Sequence, residues 1–150
     1  MSTPLVAVLD YGIGNLRSAQ KALQKVGADA RLTSDAALIR DAHAAVLPGV
    51  GNFGACMQAV RAAGLEDLVL ERVAGTKPFL GICVGMQMLF SESEESPGVT
   101  GLNVVPGVVR YLPPTVKRPQ MQWNQLQLRA TPESNIDPLF ASLPVEPWMY

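Results

Sequence analysis

Three short apolar runs in this chain each stop at a glycine-bearing loop, and a segment of helical periodicity follows each stop. Leu5 to Leu9 ends at Asp10-Tyr11-Gly12-Ile13-Gly14, Ala44 to Leu47 at Pro48-Gly49-Val50-Gly51, and Pro78 to Ile82 at the corner Cys83-Val84-Gly85. Such runs, bounded by turn residues, read as buried strands. Between them, Leu16, Ala19, Leu23 and Val26 recur on one face of a helix that Asn15 can cap and Gly27 can stop. Ala28 to Leu32 reads as a further strand and Asp35 to Arg40 as a short helix. Longer helices are expected from about Phe53 to Ala63, Leu65 to Val73 and Val84 to Ser91, with Met86, Leu89 and Phe90 in the core. Strands alternating with helices at this spacing build an α/β fold, a three-layer and mostly parallel sheet with right-handed crossovers.

After Ser96-Pro97-Gly98 the pattern changes. Val104-Val105, Val108 to Leu112 and Met121 to Leu128 read as shorter strands joined by proline-rich turns, an antiparallel extension on one edge. Asp137 to Leu143 reads as a short helical connection, and Pro147-Trp148-Met149-Tyr150 opens an apolar run that stops at once. The expectation is a single domain over residues 1–150 whose C-terminal part is missing.

Composition narrows the function classes. A chain of 150 residues that is 48% hydrophobic and 17% charged can bury a core. A net charge of −1 gives no footprint for nucleic acid or an anionic membrane. There is no basic N-terminal region followed by an apolar segment, and no apolar stretch near the ~20 residues that span a bilayer. One histidine and two cysteines at unrelated spacings make no metal site, and no cofactor is implied. Reduced thiols in a soluble, cytoplasmic protein are the expectation.

In an open parallel sheet, ligands bind beyond the carboxyl ends of the strands, where the three loops converge. Cys83, in Gly81-Ile82-Cys83-Val84-Gly85-Met86-Gln87, is held there at a strand-to-helix elbow. The same construction with serine presents the nucleophile of the α/β hydrolases. Unpaired N–H groups and the dipole of the following helix favour a thiolate. The Pro48–Gly51 turn can place N–H groups beside it, and with the Val84 N–H it would form an oxyanion hole, where each donor is worth roughly 3–4 kcal/mol. Gln87 lies one helical turn after Cys83 and could meet a polar substrate group. Cys56 reads as a small hydrophobe, and Glu92, Glu94 and Glu95 read as a solvated face.

Amide hydrolysis also needs a proton for the leaving amine. His43 is the one histidine, but it precedes the third strand, about 15 Å from the reactive end at ~3.3 Å per residue. It reads as a loop or structural residue, so the sequence offers a nucleophile and an oxyanion site without a base.

These segments resemble the class I glutamine amidotransferases. The matching stretches are Asp10 to Asn15, Leu47 to Gly51, Gly81 to Gln87, Ser93 to Val99 and Met121 to Asn124, and they run the length of the chain in order. The resemblance implies a flavodoxin-like sheet and attack by Cys83 on the side-chain amide of glutamine, with Val50 and Val84 supplying the oxyanion hole. It further implies that Gly51, Gln87 and Glu95 bind the substrate, Glu95 facing its ammonium group. Asn15 and Trp123 match positions at the interface with a cyclase partner, a (β/α)8 barrel that receives the ammonia. Gln122 departs from the glycine usual before Trp-Asn. Family chains of roughly 200 residues carry a catalytic His and Glu past the point matching Tyr150, so a chain ending there is expected to lack most activity. Two other readings fit the elbow alone. One is a different cysteine hydrolase, DJ-1-like or the glutaminase of pyridoxal phosphate synthesis. The other is a non-catalytic flavodoxin-like module, in which Gly12 and Gly14 would cradle a phosphate.

Overall fold

The computed structural model describes residues 3–127, 140, 142–144 and 146–149. The chain divides into two compact units, residues 1–111 and 112–150.

The first unit is built on four parallel strands: β1 (Leu5–Leu9), β2 (Asp29–Thr33), β3 (Ala44–Gly49) and β4 (Phe79–Cys83), in the order β2-β1-β3-β4. Alternation along each strand divides the core between two faces. Ala7, Leu9, Ala45 and Leu47 join one apolar cluster, while Val6, Val8 and Val46 join the other. Helix α1 (Leu16–Lys25) lies on the second face through Ala19 and Leu23. The first face is covered by α2 (Ala36–Asp41), α3 (Phe53–Ala62) and α4 (Glu66–Ala74), with Ile39, Phe53, Met57, Val60 and Val69 fully enclosed. Each such side chain contributes about 1.5–3 kcal/mol by leaving water. Phe79 packs on this cluster, so by alternation Leu80 and Ile82 of β4 turn to the α1 side, where they stay 49% and 39% exposed.

The helix ends follow local chemistry. Gly27, at φ +96°, closes α1: its N–H reaches the Gln24 carbonyl and the Ala28 N–H that of Leu23. Asp35 starts α2 by accepting from the Leu38 N–H at 2.7 Å. Arg72 and Lys77 donate to the carbonyls of Arg40, Asp41 and Ala42 where α2 stops.

Several expectations from the sequence are corrected. Asn15 occupies the N-cap of α1, but its side chain makes no capping bond. Val26 is 82% exposed because the helix has ended before it. Helix α5 spans just Val84–Gln87, and Phe90–Ser93 is a strand, β5, paired in parallel with β6 (Val105–Val109) across a bulge. Met86 accordingly lies 49% exposed on a single helical turn. The strands expected at Val104-Val105 and Val108 to Leu112 are one strand, β6, and it pairs in parallel. The antiparallel pairing is in the second unit, between β7 (Asn124–Gln125) and β8 (Trp148–Met149), and β7 is all that forms of the strand expected from Met121 among the described residues. The helical connection expected over Asp137 to Leu143 lies largely outside the described residues.

The sharpest packing constraint is glycine-specific. A Cβ on Gly85 would overlap the Leu47 carbonyl oxygen, one on Gly81 would come within 2.7 Å of the Met86 Cα, and one on Gly49 within 2.5 Å of the Gly85 nitrogen. Gly27 has nothing within 4 Å and needs glycine for its φ alone. Urea unfolding is therefore expected to show a loss of about 1 kcal/mol for Gly27→Ala. For Gly85→Ala the loss should exceed about 3 kcal/mol, because backbone must move. Equal losses would contradict this packing.

Candidate functional site

Cys83 ends β4 with φ +55° and ψ −119°, a conformation that costs an L-residue about 1–3 kcal/mol and that its surroundings must enforce. They do so through the close approach of Gly81 and Gly85 to their neighbours and through burial of Val84 and Met88 immediately after the corner. The result is an exposed thiol on a buried support. Helix α5 is one turn long, so fewer aligned peptides stand behind the sulfur than an eight-residue helix would provide.

The register pairs Gly49 with Cys83, which puts the Pro48–Gly51 turn beside the elbow. Gly51 adopts φ +88°, so the turn reverses where a side chain would be strained. Its carbonyls are held from below. Tyr11 Oη donates to the Pro48 carbonyl at 2.5 Å, and Cys56 Sγ donates to the Val50 carbonyl at 3.3 Å. Cys56 is thus the enclosed small side chain expected, and it also anchors the turn. Burial, reinforced by Cys56, raises the Tyr11 phenol far above its ordinary range. Burial likewise pushes the Cys56 thiol up, against the opposing pull of the Tyr11 hydroxyl and the Val50 backbone. Both remain protonated donors at neutral pH.

Behind the turn, the start of α3 is capped by three side chains. The N–H groups of Phe53, Gly54 and Ala55 donate to Glu95 Oε2 (2.8 Å), Ser96 Oγ (3.0 Å) and Asn52 Oδ1 (3.1 Å). Glu95 is therefore held next to the turn by one oxygen, and its Oε1 makes no hydrogen bond among the described residues. The Asp10 loop closes on itself, the Gly12 N–H donating to Asp10 Oδ1 at 3.1 Å.

A groove of about 320 Å³ opens between α1, the turn and the end of β4, lined by Asn15, Ser18, Pro48, Val50, Ile82 and Cys83 among others; Gly51, Val84, Gln87 and Glu95 do not line it. It brings together Cys83, Val50 and Asn15. Val84 begins α5 directly behind the sulfur, Gly51 follows Val50 in the turn, and Gln87 is half-buried one helical turn on. Trp123 lies in the second unit, 64% exposed, beside Asn124, whose amide bonds to Gln122. His43 is remote: its Nδ1 accepts from the Leu5 N–H at the opposite, N-terminal end of the strands. Among the described residues no cluster could hold a metal ion, and no helix is long and apolar enough to cross a membrane. Sequence reasoning missed Tyr11, Asn52 and Ser96. Asn52 before an apolar helix start was a usable capping signal. The other two act through partners 37 to 44 residues away, which local patterns do not encode.

The sequence pattern of the family "Glutamine amidotransferase class-I" matches residues 7–145. The chain is 52% identical over 122 residues to imidazole glycerol phosphate synthase subunit HisH of Methanothermobacter thermautotrophicus, covering 81% of this chain and 61% of that protein. To the protein of the same name from Nostoc punctiforme it is 44% identical over 149 residues, covering 98% and 68%. A crystal structure of a glutamine amidotransferase superposes with a TM-score of 0.62 at 24% identity, covering 87% of this chain and 67% of that one, which shows a shared fold. The chain spans about three-fifths to two-thirds of the length of these relatives.

The raised Cys56 and Tyr11 values carry a signed consequence. The native state keeps protons that the unfolded chain gives up first, so their contribution is full below the ordinary thiol value of 9.0. It is lost as pH rises through that range and, for Tyr11, above 10.0. The urea midpoint is expected to fall from pH 9.0 upward, and Cys56→Ala should remove the first part of the fall. A midpoint flat across both ranges would contradict the burial of these donors.

Proposed function

This chain belongs to the class-I glutamine amidotransferase family, and on that premise we propose that it is the glutamine-hydrolysing part of an imidazole glycerol phosphate synthase. The observation that carries the reading is the shared groove: the strained Cys83 thiol, the Val50 turn and Asn15 line one opening. Residues 1–150 are read as the larger part of one amidotransferase domain, which in the relatives is longer.

The chemistry follows from the residues. The Cys83 sulfur, as thiolate, attacks the side-chain amide carbon of glutamine. Charge moves onto the amide oxygen, where the N–H groups of Val84 and Val50 receive it; fixed donors of this kind act most strongly on charge that appears in the transition state. Collapse breaks the carbon–nitrogen bond, leaves a glutamyl thioester on Cys83 and releases ammonia once the nitrogen is protonated. Water then attacks the thioester carbon, giving glutamate and the free thiol. Glu95 meets the substrate's ammonium group with the oxygen that α3 does not use, while Gly51 and Gln87 contact its polar atoms. His43 cannot serve as the acid, since it is bonded at the far, N-terminal end of the strands. The proton is assigned to a histidine and a glutamate that lie outside residues 1–150.

Ammonia leaves toward the cyclase subunit, a (β/α)8 barrel docked at Asn15 and Trp123. There it converts a phosphoribulosyl formimino nucleotide to imidazole glycerol phosphate, in histidine biosynthesis. The free thiols of Cys56 and Cys83 suit a cytoplasmic setting.

Two outcomes test this. In a synthase carrying the chain completed to the length of its relatives, Cys83→Ala should abolish synthesis from glutamine and spare synthesis from ammonium salts. Loss of both would give the cysteine another role. Glu95→Gln keeps an acceptor for the Phe53 N–H and removes the charge, so KM for glutamine should rise about tenfold with kcat within a few-fold. An unchanged KM would take Glu95 out of the substrate site.

A further inference from the structure

The two carbonyls that flank the Val50 N–H are both anchored by buried single-hydrogen donors. Tyr11 and Cys56 are 6% and 0% exposed, and each directs its hydrogen to the turn, to Pro48 O and Val50 O respectively. A peptide group is planar, so holding the Pro48 carbonyl also fixes the direction of the Gly49 N–H, and holding the Val50 carbonyl fixes that of Gly51. The peptide joining Gly49 to Val50, which carries the Val50 N–H, lies between these two fixed planes. Its orientation is bounded at both ends by side chains that do not line the groove.

We propose that Tyr11 and Cys56 are positioning residues that set the direction of the Val50 N–H and so the stabilisation of the oxyanion at Cys83. This rests on the glutaminase reading. Neither side chain touches the substrate; each acts through the turn. Simple core packing would need the ring of Tyr11 and the volume of Cys56, whereas positioning needs their hydrogens.

The chloroketone analogue of glutamine separates the two. The Cys83 sulfur adds to its carbonyl carbon, forming an oxyanion. The sulfur then bonds the neighbouring chloromethyl carbon as chloride leaves, and its bond to the carbonyl carbon breaks as the C=O re-forms, so no proton donor is required. Iodoacetamide alkylates the same sulfur by direct displacement of iodide, with no oxyanion. Tyr11→Phe and Cys56→Ala are each expected to lower the maximal rate of Cys83 labelling by the chloroketone about tenfold at unchanged half-saturating concentration. Iodoacetamide labelling should stay within about twofold, and Cys56→Ser, which keeps a donor, should recover most of the loss. Chloroketone rates equal to wild type in either correctly folded variant would overturn the proposal. So would an equal fall with both reagents, which marks general damage. If the unaltered chain is not labelled at Cys83 by the chloroketone while iodoacetamide still reacts, the glutaminase reading itself falls, and the positioning role with it.

Discussion

Two backbones meet at the elbow with no space for a Cβ on either. Gly49 of β3, Gly81 of β4 and Gly85 of α5 pack against each other's main chains, and everything at the site depends on that contact. It brings the turn after β3 alongside the exposed thiol, in a register that leaves Gly49 opposite Cys83. It also enforces the positive φ of Cys83, which costs about 1–3 kcal/mol and has to be held by the packing of Val84, Met88, Leu47 and Phe53 below. A distortion of this kind survives because the interior beneath it is close-packed and cannot relax piecemeal.

Around this contact the site is assembled from four separate stretches. The Asp10 loop contributes Tyr11, the Pro48 turn runs into α3, the elbow carries the thiol, and the segment from Ser93 to Ser96 returns to cap α3. The capping is mutual in effect. Glu95 and Ser96 satisfy N–H groups that would otherwise need water, and α3 in return holds Glu95 beside the turn. Gly54 is the residue that permits it, since a Cβ there would come 2.9 Å from Ser96 Oγ. Capping interactions of this type are worth about 0.5–2 kcal/mol each, enough to fix a loop of otherwise exposed residues.

The strands and the thiol were legible because their signals are local. Leu5–Leu9 forms the strand that its short apolar run before a turn predicts, and the glycines around Cys83 announce a tight corner. Helix α5 was overread because Leu89 and Phe90 continue an apolar pattern that fits either period; the pairing of Phe90 with Val105 decides for a strand. Asn15 looked like a cap because its type and place are right, yet its side chain does not bond the helix. The anchoring roles of Tyr11 and Cys56 were invisible, since each depends on which carbonyl the fold brings overhead. Glu95 looked like part of a solvated acidic run for the same reason: its partner lies 42 residues back.

Strand β4 borders the parallel sheet among the described residues, and it carries the Cys83 thiol at its tip. Its main chain is tied on one flank by β3, and its other flank has no strand partner among the described residues. Rim strands accept further pairing readily. Any segment that zips onto this flank stiffens the rod on which the sulfur is mounted.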